Sequence, residues 1–401
     1  MGALSNDRLE QMHRVLAAHV TRGVAPGLVA LVSRRGEVHV EVIGTTAVDG
    51  TQPMRRDSIF RISSMTKPVT AVAVMILVEE GRLRLDDSVD ALLPELADRR
   101  VLRSIDGPVD DTVPAVRSIT LRDLLTFRMG FGLVMGSPDD YPILAAAAEL
   151  GFAQGPPEPG VSPDPDEWIR RLGTLPLMHQ PGERWTYNTG SDVLGVLVAR
   201  AAGQPFDEFL RERVFDPLGM HDTGFSVAAD AVDRLVTGYF TDPGTGALVL
   251  ADEPRTGQWS SPPAFASGAG GLVSTVDDFL AFGQMLLDRG AHRYGRLLSR
   301  PTVEAMTTDQ LTPAQKASSG MLPGQWDNRG WGFGVSVITH RDDIWATPGA
   351  YGWAGGLGTS WANDPIEEMV TVLMTQAAWT SPSQPPLFRD FSTTAYAAIE
   401  D

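Results

Sequence analysis

The chain has 401 residues, of which 43% are hydrophobic, so it can bury a large core in roughly two or three structural units. Fifty acidic against 33 basic residues leave a formal net charge of −17, which repels phosphate backbones and anionic lipid surfaces. We therefore predict neither a nucleic-acid partner nor a membrane partner. The absence of cysteine excludes disulfides, thiolate metal sites and a cysteine nucleophile.

The longest apolar run, residues 68–78, is far shorter than the roughly 20 residues that a membrane-spanning helix needs. It predicts a buried helix instead. The amino terminus shows no basic stretch followed by an apolar segment, so we expect no signal peptide and a cytoplasmic location. A chain from which a leader had been removed would begin in the same way.

The first part of the chain predicts a helix followed by strands. Apolar residues recur at helical spacing over residues 9–20, and Asn6 and Asp7 before them can cap the helix. Residues 28–33 and 38–42 then have the alternation of an antiparallel hairpin. A third extended segment, residues 59–62, leads directly into the apolar run.

The middle of the chain is predicted to be mainly helical. Thr120 and Asp123 have the spacing of a capping box, and Ser191 and Asp192 precede a helix that runs to about residue 202. Residues 155–165 are rich in proline and are expected to form a loop.

Further helices and strands are predicted in the last third of the chain. A helix is expected over residues 276–287 and another over about residues 387–399. Strands are predicted over residues 332–338, 358–362 and 369–374.

Strand patterns therefore stand near both ends of the chain and helices between them. We predict an α+β fold in which an antiparallel sheet is flanked by N- and C-terminal helices and a mostly helical domain is inserted. The sheet domain would comprise residues 1–90 and 265–401, and the insert residues 91–264. The active site is expected at their interface.

Ser64 and Lys67 form an S-x-x-K pattern at the start of the apolar helix. A spacing of three places both side chains on one face, one turn apart. A serine hydroxyl is a weak nucleophile until a neighbour takes its proton, and a desolvated lysine can do so because burial disfavours its charged form. Lys67 and Lys316 are the only lysines, so the chain normally uses arginine as its cation. The alternative is a helix cap beside a surface lysine.

Two later segments add candidate functional groups. Tyr187 lies in a short loop before a helix, where a nearby ammonium would stabilise its anion and make it a base. The segment from Tyr351 to Gly358 contains Trp353 and glycines that would let a ligand lie against the backbone. Taken alone, Tyr187 is better explained as a core or rim aromatic, and the glycines are equally well explained as a turn.

The order S-x-x-K, tyrosine, glycine-rich strand resembles the serine β-lactamase and penicillin-binding protein superfamily, closest to the class C-like branch that includes family VIII carboxylesterases. Residues 119–125, 215–225 and 267–279 also look like recurring segments of that family. The resemblance covers nearly the whole chain and implies a β-lactamase/transpeptidase-like fold.

The resemblance implies a role for each matching residue. Ser64 would be the acylated nucleophile, Lys67 its proton acceptor or relay, and Tyr187 the base that also protonates the leaving group. The oxyanion hole would use the backbone amides of Ser64 and Gly356. An oxyanion beside the amino terminus of a helix is favoured by the helix dipole.

Departures from the family pattern bear on the substrate. Where the family's β-lactamases and peptidases carry Lys-Thr-Gly, this chain has Trp353, Ala354 and Gly355, so the cation that would hold a substrate carboxylate is missing. Thr189 stands where asparagine often follows the tyrosine by two positions, although Asn188 is adjacent. We place Trp353, Gly355 and Thr189 in the substrate-binding site and expect neutral esters as substrates.

Other chemistries find no support in the sequence. The histidines lack zinc-binding spacing, and there is no G-x-S-x-G elbow and no phosphate-binding loop. We predict no metal and no cofactor. Four tryptophans in the last third are candidates to line an apolar pocket, with at least two expected to be ordinary packing: Trp326, Trp331, Trp345 and Trp353.

The sequence thus predicts a serine hydrolase that acts on small-molecule carboxylic esters, or other acyl donors, through an acyl-enzyme. Acyl transfer to an alcohol or amine would use the same residues. β-Lactam hydrolysis or D-alanyl peptidase activity is a third possibility within the fold. A catalytically silent scaffold is the alternative from outside enzymology.

Overall fold

The computed structural model describes residues 3–152 and 154–400. The helices are α1 (Asn6–Thr21), α2 (Thr66–Glu79), α3 (Leu121–Leu125), α4 (Pro142–Glu149), α5 (Pro165–Thr174), α6 (Thr189–Ala202), α7 (Phe206–Leu210), α8 (Asp216–Leu218), α9 (Val276–Leu287), α10 (Arg300–Met306), α11 (Pro313–Ala317) and α12 (Pro386–Ala397). The strands are β1 (Gly27–Arg34), β2 (Glu37–Gly44), β3 (Phe60–Arg61), β4 (Arg100–Leu102), β5 (Thr112–Pro114), β6 (Gly238–Thr241), β7 (Leu248–Asp252), β8 (Val273–Ser274), β9 (Ala291–His292), β10 (Gly295–Arg296), β11 (Arg329–Trp331), β12 (Ser336–Ile338), β13 (Tyr351–Gly355), β14 (Thr359–Asp364) and β15 (Met369–Thr375).

The main sheet has seven strands in the order β11-β12-β13-β14-β15-β1-β2, and its neighbouring strands pair antiparallel. Strand β1 lies between β2 and β15, with Leu28 opposite Thr375 on one side and Ile43 on the other. Every residue of β1 is buried, as expected for a strand covered on both faces. The sheet therefore joins the two ends of the chain, and the predicted fold class is confirmed.

Helices α1 and α12 cover one face of the sheet and pack on each other. Leu9, Met12 and Leu16 of α1 share a buried cluster with Phe388 and Phe391 of α12. The predicted first helix is present, but its amino-terminal cap was misplaced. Ser5 occupies that position, without a capping side-chain hydrogen bond.

Helix α2 lies inside the protein. Residues 66–77 are all buried, because the helix is predominantly apolar and packs against α6 and α7. The apolar core around α2 runs without interruption from Val29 and Val372 of the sheet to Leu124 and Val193 of the helical region. Helices α3 to α8 all lie between residues 91 and 264. The division into two domains at these positions stays a prediction.

Several predicted elements are confirmed, and two need correction. Helix α9 occupies residues 276–287 as predicted, and the capping box of Thr120 and Asp123 is present. Helix α6 begins at Thr189, so Ser191 and Asp192 lie inside its first turn. The strand expected over residues 332–338 is reduced to β12, because Gly332 and Val335 close a tight turn that includes Gly334 at φ +74°.

Within the described residues, no helix is long and apolar enough to cross a membrane.

Candidate active site

Ser64 lies in a single 3₁₀ turn, Ser63–Met65, which continues into α2. Ser63 has φ +45°, a left-handed conformation that is uncommon for a residue with a side chain. The turn is held by two hydrogen bonds: Thr66 Oγ1 donates to the Ser63 carbonyl at 2.7 Å, and Thr359 Oγ1 donates to the Ile62 carbonyl at 3.1 Å. Ser64 is thus fixed between the buried helix and the sheet.

Lys67 lies one turn further along α2, and its side chain is 1% exposed. Its Nζ donates to Ser64 Oγ at 2.9 Å and to the carbonyl of Ala269 at 2.6 Å. Burial lowers the pKa of Lys67 to about 7, and the nearby Asp192 carboxylate opposes this shift only in part. A lysine with such a pKa can take a proton from serine near neutral pH. The predicted S-x-x-K contact is present.

Tyr187 completes the group that the sequence predicted. Lys67 Nζ lies 4.5 Å from the centre of its ring, and its hydroxyl oxygen accepts hydrogen bonds from Ser64 and, at 2.7 Å, from Trp353 Nε1. Burial nevertheless raises the pKa of Tyr187 above its usual value. The phenol is therefore neutral in the resting site, and the ammonium that was expected to lower its pKa does not outweigh desolvation.

The backbone next to Tyr187 has an unusual conformation. Asn188 has φ +88°, which is rare outside glycine, and α6 begins at the following residue. Asn188 and Thr189 both line the same cavity as Ser64. The structure therefore brings both candidates for the family's asparagine position to the site.

Two neighbouring glycines at the end of β13 play different parts. A Cβ atom on Gly355 would lie 2.1 Å from the Ile62 carbonyl oxygen, so the strand can approach the Ser64 turn only with glycine there. Gly356 has no such neighbour within 4 Å and lines the cavity beside Ser64. Gly355 is thus needed for backbone packing, and the assignment of the Gly356 amide to an oxyanion hole stays a prediction.

Asp192 is a functional candidate that the sequence reasoning missed. It lies in the first turn of α6, where its carboxylate accepts hydrogen bonds from Ser267 Oγ at 2.6 Å and from the amide of Ala269 at 3.1 Å. Burial raises its pKa, while Ser267 and the charge of Lys67 act in the opposite direction. An isolated acidic residue just before the apolar stretch of α6 was the available signal.

Two cavities open on Ser64, Tyr187 and Gly356. The first has a volume of ≈390 Å³. Its lining includes apolar side chains and two acidic residues, such as Phe131, Phe152, Trp168, Phe265, Glu158 and Asp192. The second, of ≈610 Å³, is lined by all four tryptophans singled out in the sequence, namely Trp326, Trp331, Trp345 and Trp353. Trp331 is also fully buried, and its ring centre lies 5.0 Å from the ring centre of Phe127, as expected for a core residue.

Among the residues that the structure describes, no group of three or more histidine, aspartate or glutamate side chains is arranged to hold a metal ion. The absence of a metal cofactor stays a prediction.

Comparison with known proteins extends these observations. The beta-lactamase family model matches residues 12–388. An uncharacterized protein of Mycobacterium tuberculosis is 41% identical over 362 residues, which are 88% of this chain and 86% of that protein. The esterase EstB of Burkholderia gladioli is 31% identical over 381 residues, covering 90% of this chain and 88% of EstB.

A solved structure shares the fold. EstCE1, described as a hydrolase with promiscuous acyltransferase activity, superposes with a TM-score of 0.78 at 24% identity. The match covers 97% of this chain and 99% of EstCE1. The antiparallel sheet with its flanking helices is thus the β-lactamase/transpeptidase-like fold, and the chain belongs to the beta-lactamase family.

Proposed function

We propose that this protein hydrolyses carboxylic esters through an acyl-enzyme formed on Ser64. The observation that carries the proposal is the 2.9 Å contact between Ser64 Oγ and the nitrogen of a buried lysine whose pKa is lowered to about 7. This pairing supplies a hydroxyl nucleophile with an adjacent base, which is what covalent acyl transfer requires.

The proposed reaction begins when Ser64 Oγ attacks the ester carbonyl carbon and its proton passes to the neutral amine of Lys67. The carbonyl oxygen becomes an oxyanion that the amides of Ser64 and Gly356 stabilise, and fixed donors of this kind contribute about 3–4 kcal/mol each. Collapse of this intermediate breaks the bond to the alcohol. The alcohol oxygen takes a proton from the Tyr187 hydroxyl, which is replenished from Lys67. Water then attacks the carbonyl carbon of the acyl-enzyme and gives a proton to Lys67. Collapse of this second intermediate breaks the bond to Ser64 Oγ, which takes a proton back from Lys67 as the carboxylic acid leaves.

Neutral esters fit the site better than β-lactams. The position of the family's lysine holds Trp353, whose indole donates to Tyr187 and offers no charge to a substrate carboxylate. Losing one charge-assisted hydrogen bond costs about 1.5–3 kcal/mol. The relative EstB carries the name esterase, which supports the same choice.

The proposal is tested with a chromogenic short-chain ester, comparing the wild-type protein with Ser64→Ala. We expect the variant to lose at least about a thousandfold in kcat, because no other hydroxyl shares the contact with Lys67 among the described residues. The neighbouring Ser63→Ala variant is a less severe change at the same turn and should keep measurable turnover. A Ser64→Ala variant as fast as wild type would refute the nucleophile.

Acyl transfer is the second candidate, favoured by the two cavities that meet at Ser64. One cavity can hold the acyl group while an acceptor alcohol enters through the other. The description of EstCE1 as a hydrolase with acyltransferase activity supports this candidate. Product analysis with added alcohol separates the two reactions, since transfer gives a new ester and hydrolysis gives only the acid.

A further inference from the structure

The cavity lined by the four tryptophans, here called the second cavity, contains one charge. Among the described residues that line it, Arg329 alone is ionised at neutral pH, and no aspartate or glutamate accompanies it. The first cavity is different, because Glu158 and Asp192 line it. In a chain with a net charge of −17, a cavity whose single charge is positive is unusual.

Arg329 lies on the edge strand β11 and is partly buried, with its guanidinium 5.9 Å from the centre of the Trp345 ring. It makes no ion pair with any described carboxylate. The carboxylate that acts electrostatically on Arg329 is that of Asp342. It already accepts a hydrogen bond from Asn328 at 2.6 Å. Burial lowers the pKa of Arg329, and Asp342 opposes this shift in part.

Two other buried arginines make several hydrogen bonds within the protein. Arg61 forms two hydrogen bonds to the Asp252 carboxylate, and Arg99 donates to the carbonyls of residues 172, 173 and 175. A guanidinium has five donors in a planar fork that matches a carboxylate or a phosphate. Arg329 thus has donors available to a ligand, and burial strengthens any ion pair formed there.

The strand register shows how far along the sheet Arg329 lies from the glycine at the end of β13. Arg329 pairs with Ile338, and the amide of Ile338 donates to the carbonyl of Ala350 at the start of β13. Gly356 lies six residues further along, a separation of about 20 Å at the rise of an extended strand. A single ligand can reach both Ser64 and Arg329 only if it is long and its middle is compatible with tryptophan.

We propose that the second cavity binds the far end of an elongated ester substrate, and that Arg329 recognises an anionic group, a carboxylate or a phosphate, on that end. This inference rests on the proposed function and adds the substrate class. Arg329 is a specificity residue and takes no part in the proton transfers at Ser64.

The experiment compares chromogenic aryl esters of long-chain acids that differ only at the far end of the acyl chain. The far end carries a free carboxylate, a phosphate or a neutral methyl ester. Each substrate is also made with a short acyl chain for comparison. We expect wild-type kcat/KM to favour a charged long substrate over its neutral counterpart by about tenfold or more, expressed mainly in KM. The anion that gives the larger preference, carboxylate or phosphate, is the group that Arg329 recognises.

The variants are Arg329→Gln and Arg329→Lys, with Arg8→Gln as the matched loss of an exposed arginine outside the cavity. Arg329→Gln should remove the preference for the anion, so that the charged and the neutral long substrates are turned over with similar kcat/KM. Arg329→Lys should keep part of the preference, because it retains the charge without the planar fork. Arg8→Gln should behave as wild type.

A wild-type protein that shows no preference for either anion, or an Arg329→Gln variant that keeps the preference, would overturn the inference. A second measurement separates this from failure of the proposed function. Binding of a long-chain dicarboxylic acid is followed by the fluorescence of the cavity tryptophans, which requires no turnover. Binding that Arg329→Gln weakens about tenfold supports the anion site even if no ester is hydrolysed, and equal binding by both proteins contradicts it.

Discussion

At the scale of single residues, the site depends on a lysine held where its charged form is disfavoured. The Lys67 side chain is buried, and Asp192 offsets the cost of its charge only in part. Tyr187 beside it is shifted toward the neutral phenol by the same burial. In the proposed reaction, these opposite protonation preferences favour Lys67 as the initial proton acceptor and Tyr187 as the donor to the leaving group.

The first prediction concerns pH. Because the pKa of Lys67 is lowered to about 7, the neutral amine predominates above that pH and the ammonium below it. We expect kcat/KM for a neutral ester to rise with pH through about 7 and then to level off. A pH–rate profile of the wild-type protein is the measurement, with thermal melts as a control for unfolding. A rate that falls over the same interval would contradict the assignment of Lys67 as the base.

The second prediction concerns the indole that donates to Tyr187. Trp353→Phe keeps an aromatic ring but removes the 2.7 Å hydrogen bond, so the Tyr187 hydroxyl loses a fixed partner. We expect kcat to fall about 3- to 10-fold, the effect of one neutral hydrogen bond, with a smaller change in KM. Trp345→Phe is the matched control, because Trp345 lines the same cavity and its indole makes no hydrogen bond to Tyr187. Equal effects in both variants would assign the loss to cavity shape.

At the scale of elements, the end of β13 and the turn that carries Ser64 touch through backbone atoms. Gly355 allows this contact, and Thr359 of β14 reinforces it by bonding the same Ile62 carbonyl. The sheet therefore sets the position of Ser64, the proposed nucleophile, directly, without an intervening side chain at residue 355.

The third prediction uses the two adjacent glycines as a matched pair. Gly355→Ala would place a methyl group 2.1 Å from the Ile62 carbonyl oxygen and 2.4 Å from Thr359 Oγ1, so strand and turn must separate. We expect this variant to lose at least about 1–3 kcal/mol of stability and most of its activity. Gly356→Ala meets no atom within 4 Å and keeps its amide, so activity should be largely retained. Urea unfolding and ester turnover of both variants check the contrast.

Elements with strong local signals could be predicted from the sequence, and those shaped by neighbours could not. Thr275 caps α9, and the helix has the predicted bounds. Helix α6 begins before Ser191 because the unusual backbone at Asn188 puts the start of the helix there, three residues before the predicted cap at Ser191. The strand predicted over residues 332–338 starts late, because the positive φ of Gly334 turns the backbone at its beginning.

At the scale of the whole molecule, a buried ion pair joins parts of the chain that are 191 residues apart. Arg61 of β3, three residues before Ser64, pairs with Asp252 of β7, and both side chains are less than 10% exposed. Asp252 also accepts a hydrogen bond from the amide of Gln258 at 2.7 Å. Replacing one partner leaves an uncompensated charge in the interior.

The fourth prediction follows from this pair. Asp252→Asn should destabilise the protein by about 3–5 kcal/mol, because Arg61 stays buried without a counter-charge. Asp277→Asn is the control, since Asp277 pairs with Arg56 at the surface and should cost about 1 kcal/mol or less. Denaturant unfolding measures both. Similar losses in the two variants would show that burial adds nothing to the pair.

The candidate site was predictable where its residues follow one another in a motif. Ser64 and Lys67 share one helical turn, and Tyr187 was found by its order relative to them. Asp192 and Arg329 were missed because their significance depends on neighbours from remote segments: Ala269 and Ser267 around Asp192, and the tryptophan-lined space around Arg329. The spacing of residues along the sequence does not show which remote segments will pack around them.

The position of β1 between β2 and β15 has a consequence for biosynthesis. A ribosome releases β1 and β2 early, but the partner of β1 on its other side emerges more than 300 residues later, after the whole helical region. Until then Ser64 and Lys67 are in the nascent chain without the strands that hold their turn. The turn that carries Ser64 and Lys67 is therefore completed only near the end of translation, and we expect an incomplete chain to lack the proposed activity.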